Sequence, residues 1–481
     1  MKIDRVERMT NSGSQVIFAT GTEQPPPKFS EEALALEFST KHAEDLRYVA
    51  GWGKWLRWDG ARWRLDDTLQ VFDLARVICR EAAAQCEAEK SKAARALAAA
   101  ATVAAVERLT RADRRHAATI EQWDTDPWLL NAPNGTVDLR SGEQRRHQRE
   151  DYVTKSTGMR LAGESEPCPQ WLRFLDRITG RDTELQAFLQ RMTGYCLTGS
   201  VREHALFFLY GTDANGKSVF LSTVAAVLGE YGKTAPISTF MATGNEQHPT
   251  DLAGLRGARL VTAIETEDGR RWAESKAKAL TGGDKIAARF MRQDFFEFAP
   301  QFKLLIAGNH RPGLRSVDEA IRRRLHLIPF NITIPAAKRD NQLTEKLRVE
   351  WPAILRWTVK GCLEWQRHGL NPPAAVLDAT SKYLAAEDRF GIWLQDRCEV
   401  GRQYSAPVGE LFRSWVTWCE SAEEKPGSQK RFSETCTPEG SVQARHRASE
   451  RYSDWRLRAL YESGVDGLDR LPHIYRTRAR L

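Results

Sequence analysis

No run of apolar residues in this chain reaches 18, the length a helix needs to cross a bilayer. The longest candidate, Ala96–Val106, is alanine-rich and is followed by Glu107 and Arg108, so it reads as an ordinary helix. The N-terminus has no apolar core of a signal peptide, so no secretion is expected. The eight cysteines include no Cys-x-x-Cys pair and no Cys/His cluster at zinc spacing. They read as scattered reduced thiols, and the expected compartment is the cytoplasm. What is present is length and basic charge. A chain of 481 residues is too long for one core, so roughly three domains are expected. A net charge of +8 and a pI near 9.0 point to a polyanionic partner. Hydrophobic content of 41% against 28% charge is the balance of a globular protein.

Along the chain, residues 1–29 are polar, contain Pro25-Pro26-Pro27 and read as a disordered lead-in. Residues 30–165 read as an α+β module. Ser30 is a plausible N-cap for a first helix. Trp52, Trp55, Trp58 and Trp63 alternate around Asp59-Gly60 as a hairpin does, and their preferred reading is packing in a small sheet, with base stacking the alternative. Residues 70–120 read as helix, and turn signals at Asn134-Gly135 and Ser141-Gly142 flank a short strand. Residues 166–197 form a helical connector, with one helix over 171–197. Residues 198–370 hold an α/β domain whose last helix is interrupted at Trp351-Pro352. Residues 371–440 are mainly helical, and 441–481 form a polar, Arg-rich tail. The expected fold is therefore multidomain, α/β and α+β.

The chemistry concentrates in the central domain. Leu206–Tyr210 is an apolar strand. Gly211, Thr212, Asp213, Ala214, Asn215, Gly216, Lys217 and Ser218 then fit the Gly-x-x-x-x-Gly-Lys-Ser pattern, and Val219 begins a helix. Backbone N–H groups at the head of that helix can cradle a phosphate. Lys217 would reach the β/γ oxygens of ATP, and Ser218 would ligate Mg2+. The bland alternative is a glycine turn with an exposed lysine. Lys217 is followed 48 residues later by Glu265, at the end of the apolar strand Arg259–Glu265. A carboxylate there would hold Mg2+ and polarise water. Glu267 has the same parity and is the other candidate. A second apolar strand ends at Asn309, which could contact a γ-phosphate. Arg322, Arg323 and Arg324 precede a third strand, and one of them could be a finger supplied across a subunit interface. Between the acid and Asn strands, residues 278–300 look like a hairpin turning near Arg292. Lys285, Arg289 and Arg292 would put positive charge on it for a phosphate backbone.

These elements together resemble superfamily 3 helicases, and more closely the phage/plasmid primase-helicase family of poxvirus and satellite-phage type. The loop, the Glu265 strand, Thr281-Gly-Gly-Asp284 with Arg289, Asn309-His-Arg-Pro312 and Arg323-Arg324 with Ile328-Pro-Phe330 come in that family's order. Asn131-Ala-Pro-Asn134-Gly135 and Gly194-Tyr195 are similar to its preceding module. The resemblance implies a P-loop, AAA+-like ATPase that forms a hexameric ring, with ATP and Mg2+ between subunits. It would bind single-stranded DNA and unwind forked DNA, with a separate primase or replication initiator as a further implied partner. Larger family members carry a polymerising primase domain ahead of the helper module. About 40 residues precede it here, so primer synthesis is not expected. The family also implies a C-terminal winged helix. Helices over 378–435 would begin it, but residues 437–481 show no apolar wing strands. The readings kept open are a loader ring without processive unwinding, a P-loop small-molecule phosphotransferase and a decayed prophage product.

Overall fold

Helices and a tryptophan-rich hairpin organise the first part of the chain. In the computed structural model the described residues are 25–86, 91–242, 250–265, 269–291, 294–315, 317–422, 425–436 and 451–457. Glu267, Arg292, most of the lead-in and much of the tail lie outside them. Contacts divide the chain into two units, Met1–Asp138 with Glu143–Arg160, and Leu139–Gly142 with Leu161–Leu481.

The first unit is α+β. Helix α1 (Glu31–His42) starts where the Ser30 hydroxyl accepts from Ala33 N at 3.1 Å. Strands β1 (Leu46–Val49), β2 (Lys54–Trp58), β3 (Trp63–Leu65) and β4 (Ala117–Ala118) form a sheet in the order β3-β2-β1-β4. Helices α2 (Gln70–Ala84), α3 (Ser91–Leu97) and α4 (Ala100–Thr110) lie between β3 and β4 in sequence. Successive residues of β2 face opposite sides, as a pleated strand requires. Trp55 joins Phe38, Ile78 and Val106, whereas Leu56 joins Val49, Trp63 and Trp123. Trp55 and Trp63 are buried, and only Trp52 and Trp58 keep partial exposure, so packing accounts for most of the aromatic run. A second sheet, β5 (Leu129–Ala132), β6 (Gly135–Asp138) and β7 (Glu143–Arg145), is an antiparallel meander. At its first turn Gly135 has φ 148°, and a Cβ there would lie 2.6 Å from Arg145 O.

The second unit opens with α5 (Pro169–Thr179) and α6 (Thr183–Leu197). The single helix expected over 171–197 is thus two. Gly180 at φ 65° ends the first, and Asp182 caps the second by accepting from Leu185 N at 2.9 Å. The core is a five-stranded, wholly parallel sheet in the order β14-β8-β13-β10-β9. Its strands are β8 (Leu206–Tyr210), β9 (Gly232–Thr234), β10 (Leu260–Glu265), β13 (Lys303–Gly308) and β14 (Leu325–Pro329). The central strands β8 and β13 are buried almost throughout, the signature of a sheet covered on both faces. Between them run α7 (Lys217–Leu228), α8 (Thr250–Ala253), α9 (Glu274–Gly282), the antiparallel pair β11 (Ile286–Ala288) and β12 (Phe296–Phe298), and α10 (Glu319–Arg322).

Helix α11 (Leu343–His368) is unbroken, contrary to the interruption expected at Trp351-Pro352. Pro352 removes one helical hydrogen bond, but burial of Leu347, Ala353, Ile354 and Leu355 around it outweighs that loss. The helix lies so close to α6 that a Cβ on Gly361 would sit 2.0 Å from Gln190 O, and one on Gly194 would sit 2.0 Å from Cys362 N. The chain continues through α12 (Ala374–Glu387), α13 (Arg389–Arg397), β15 (Cys398–Pro407), α14 (Val408–Ser421), α15 (Gln429–Cys436) and β16 (Arg451–Leu457). Trp393, Leu411, Trp418 and Phe432 form the core of this last part. The tail therefore does hold a strand. Antiparallel pairing with β15 supports β16, although its sequence alternates too weakly to announce it. Among the described residues no helix is long and apolar enough to cross a membrane.

Candidate functional site

The loop after β8 is built by backbone conformations that few residues adopt. Gly211 has φ 149°, and a Cβ on it would lie 2.2 Å from Phe330 O. Gly216 has φ 89°, and a Cβ there would lie 2.5 Å from Ile178 Cγ2. Ala214 also takes positive φ, 58°, which is uncommon for a residue with a side chain. The segment after β14 holds the loop in place. Buried Asn215 donates to Phe330 O at 2.7 Å, Ile334 N donates to Ala214 O at 2.8 Å, and the Thr212 and Thr333 hydroxyls meet at 3.0 Å.

Lys217 is buried at the first turn of α7. Its Nζ donates to Gly211 O at 2.7 Å, Thr212 O at 2.9 Å and Asn215 Oδ1 at 3.1 Å. Burial lowers its pKa, and the Asp213 carboxylate opposes that shift. Ser218 follows with an exposed side chain, and Val219 is half-buried on the helix. A glycine-rich loop, a helix N-terminus and an ammonium held against the loop carbonyls are an arrangement that can receive an anion.

The parallel sheet brings the distant candidates to the same edge. Glu265 ends β10 and pairs in register with Gly308, the last residue of β13. The next residue, Asn309, donates from Nδ2 to Asp213 Oδ1 at 2.6 Å, so it stands directly against the loop. Glu267 lies outside the described residues.

The arginines lie at the other edge. β14 begins at Leu325, opposite Leu206, the first residue of β8, whereas the loop follows Tyr210, opposite Pro329. At about 3.3 Å per residue this separates the trio from the loop of its own subunit by roughly 15 Å. The three side chains also differ. Arg324 is buried, donating to Thr281 Oγ1 at 3.3 Å and Ala320 O at 2.9 Å. It also lines a small apolar cavity with Trp272, Leu314 and Ile321. Arg322 pairs with Asp388 at 3.2 Å. The Arg323 side chain is exposed and forms no hydrogen bond or ion pair among the described residues, its backbone N–H alone donating to Glu319 O at 3.1 Å.

The expected hairpin exists, but it is shorter than the sequence reading. Residues 274–282 are helix α9, ended by Gly283 at φ 83°, and only β11 and β12 pair. Lys285 precedes β11 and is exposed, and Arg289 follows it with its guanidinium 4.8 Å from the Phe295 ring. Arg292 lies outside the described residues. The sequence reading missed the apolar residues beside the turn. Phe290, Met291 and Phe295 are 41%, 74% and 61% exposed. Their signal is the apolar content of Arg289-Phe-Met-Arg-Gln-Asp-Phe-Phe296, interleaved with its charges.

Two family models match the chain in tandem. "D5 N terminal like" covers residues 35–180, and a family of unknown function, DUF5906, covers 209–324. Domains of these two kinds are typical of superfamily 3 primase-helicases, and the chain is similar to that family. The relatives it matches are proteins named as putative helicases. That of Acanthamoeba polyphaga mimivirus is 26% identical over 295 residues, which is 57% of this chain and 31% of the relative. That of Frog virus 3 is 24% identical over 286 residues, 54% and 28% of the two chains. That of Invertebrate iridescent virus 6 is 27% identical over 241 residues, 47% and 24% of the two. The matched stretch thus spans less than a third of the length of each relative. Among solved structures, the C-terminal region of NrS-1 is similar at a TM-score of 0.46, with 10% identity and 83% of each chain covered. The two matched regions lie here on an N-terminal α+β unit and a parallel α/β core followed by a helical region.

Proposed function

We propose that this chain is an ATP-dependent DNA helicase that works as a homo-oligomeric ring, hexameric by family resemblance, in the replication of a phage, prophage or plasmid. The observation that carries this reading is the separation of the loop from Arg323 within one subunit. An exposed arginine that cannot reach its own loop suits a site completed by a neighbour, where it neutralises charge growing on the γ-phosphate. Lys217 and the backbone of Gly211–Ser218 hold the phosphates, and Asn309 reports on the third. The Ser218 hydroxyl is exposed next to Lys217, and Glu265 ends the adjacent region of the sheet edge, so both suit Mg2+ held between phosphates and carboxylate. Such an ion would supply charge neutralisation for the phosphates. Glu265, or Glu267, would orient the attacking water.

Lys285 and Arg289 on the β11–β12 hairpin suit a phosphate backbone, and the exposed Phe290 and Phe295 add ring faces on which bases can stack. The order α13, β15, α14, α15, β16, with β15 and β16 antiparallel, supports reading this part as a winged helix. Lys425, Lys430 and Arg431 are exposed on or before α15, which would face a duplex. This favours a second reading, a ring that docks on duplex at an origin and melts it without processive unwinding.

The deciding experiment measures ATP turnover with and without single-stranded DNA, and strand displacement on a forked duplex, for wild type and Lys217→Ala. Helicase action predicts DNA-stimulated turnover and displacement, both lost in Lys217→Ala. Assembly and turnover without displacement would favour the loader. Turnover retained in Lys217→Ala would falsify the nucleotide site.

A further inference from the structure

The phosphate-gripping loop carries a carboxylate at its crest. Asp213 lies between the two glycines, its side chain is exposed, and its Oδ1 accepts from Asn309 Nδ2 at 2.6 Å. That distance is short for an N–H···O bond and belongs to the charge-assisted class, so Asp213 orients the Asn309 amide. The loop itself is stiff. Asn215, Ala214 and Thr212 are all tied to residues 330–334, and Lys217 closes the loop on Gly211 and Thr212. Asp213 therefore cannot leave by a general loosening of the loop, and its bond to Asn309 has to be exchanged locally. A negative charge on a loop that binds anions works against affinity, and Coulomb repulsion between unit charges a few ångströms apart is not negligible near a protein surface.

We propose that Asp213 is a specificity-determining residue that makes this site count phosphates. The inference rests on the nucleotide reading of the loop. A diphosphate fills the cradle formed by the backbone of Gly216 and Lys217 and leaves the Asp213–Asn309 bond intact. A triphosphate places its γ group where Asn309 must contact it, so that group competes with the carboxylate for the amide and meets its charge. The bond re-forms when the γ-phosphate departs. Asn309 follows directly on β13, whose first residue lies five positions after the β11–β12 hairpin, so the exchange occurs at the far end of the strand that follows the hairpin.

The test measures dissociation constants for a non-hydrolysable ATP analogue and for ADP, each with Mg2+, on the full chain. Wild type, Asp213→Asn, Asn309→Ala and the double variant are compared. Asp213→Asn is isosteric at an exposed position, and its folding is checked by circular dichroism. The expected result is triphosphate binding tightened by about tenfold in Asp213→Asn, with ADP affinity within about twofold of wild type. In the Asn309→Ala background the gain from Asp213→Asn shrinks, because the amide it competes for is gone. Equal shifts for both nucleotides, no shift for either, or full additivity of the two substitutions overturns the proposal while leaving the nucleotide site standing. If wild type binds neither nucleotide, the nucleotide site and this inference fall together.

Discussion

Truncating Arg322, Arg323 and Arg324 to alanine, one at a time, should give three different outcomes from three adjacent identical residues. Arg324 is 8% exposed, and its guanidinium serves Ala320 O and Thr281 Oγ1 beside an apolar cavity. Its removal takes a donor from the buried Thr281 hydroxyl and the half-buried Ala320 carbonyl and enlarges the cavity, a cost of about 2–4 kcal/mol. The melting temperature should fall by about 5 °C or more. Arg322 forms an ion pair with Asp388 in which both side chains are substantially exposed, so its loss costs at most about 1 kcal/mol. Arg323 touches nothing that its removal would orphan, and Arg323→Ala should leave stability within about 0.5 kcal/mol. If it is the finger, nucleotide affinity stays while turnover of the assembled protein drops about 10³-fold or more. Mixing Arg323→Ala with Lys217→Ala subunits should restore part of the turnover, since a mixed interface pairs an intact loop with an intact arginine. Thermal unfolding, nucleotide titration and phosphate release read these three quantities separately. An Arg323→Ala protein with wild-type turnover, or no rescue at any mixing ratio, would refute the assignment. An Arg324→Ala protein as stable as wild type would refute the structural division of the trio.

Other perturbations test other parts. Gly361→Ala puts a Cβ into the Gln190 backbone, forcing α6 and α11 apart, and should cost about 3 kcal/mol; an unchanged denaturant midpoint would mean the helices are not this close. His326 lies against Phe188 and Phe207, and burial pushes its pKa down to about 4. The unfolded chain then takes up a proton near pH 6.5 that the folded chain refuses, so stability is lost as pH falls from about 6.5 towards 4. His326→Gln should remove about 2 kcal/mol of the loss otherwise seen at pH 5, measured by urea unfolding at pH 7.5 and 5; parallel curves for the two proteins would count against a buried neutral ring. Arg289→Ala should weaken single-stranded DNA binding and lower the slope of log affinity against log salt by about one, and an unchanged slope would take the hairpin off the DNA path.

Much of the central fold was legible because its signals are local. A buried parallel strand needs a continuous apolar run, and Leu206–Tyr210 and Lys303–Gly308 supply one. The loop needs glycines where φ is positive, and Gly211 and Gly216 stand there. The hairpin near Asp59-Gly60 and the turns at Asn134-Gly135 and Ser141-Gly142 were read for the same reason. The misjudged elements depend on partners far along the chain. Pro352 reads as a helix breaker until the buried residues around it are counted, and 451–457 reads as tail until β15 pairs with it.

Local pattern alone was enough to reveal a glycine-rich loop, an acid-ended strand, an amide-ended strand and a run of arginines, because each is a short motif with its own conformational demand. Only the tertiary structure decided how they combine. The parallel sheet gathers the C-terminal ends of β8, β10 and β13 at one edge, which sets Asn309 on Asp213 and leaves the arginines at the other. Burial then gave three identical side chains different surroundings, since one guanidinium found partners inside, one found Asp388 and Arg323 was left facing solvent. Strand order and burial are set by contacts between residues distant in sequence, and no local pattern encodes them.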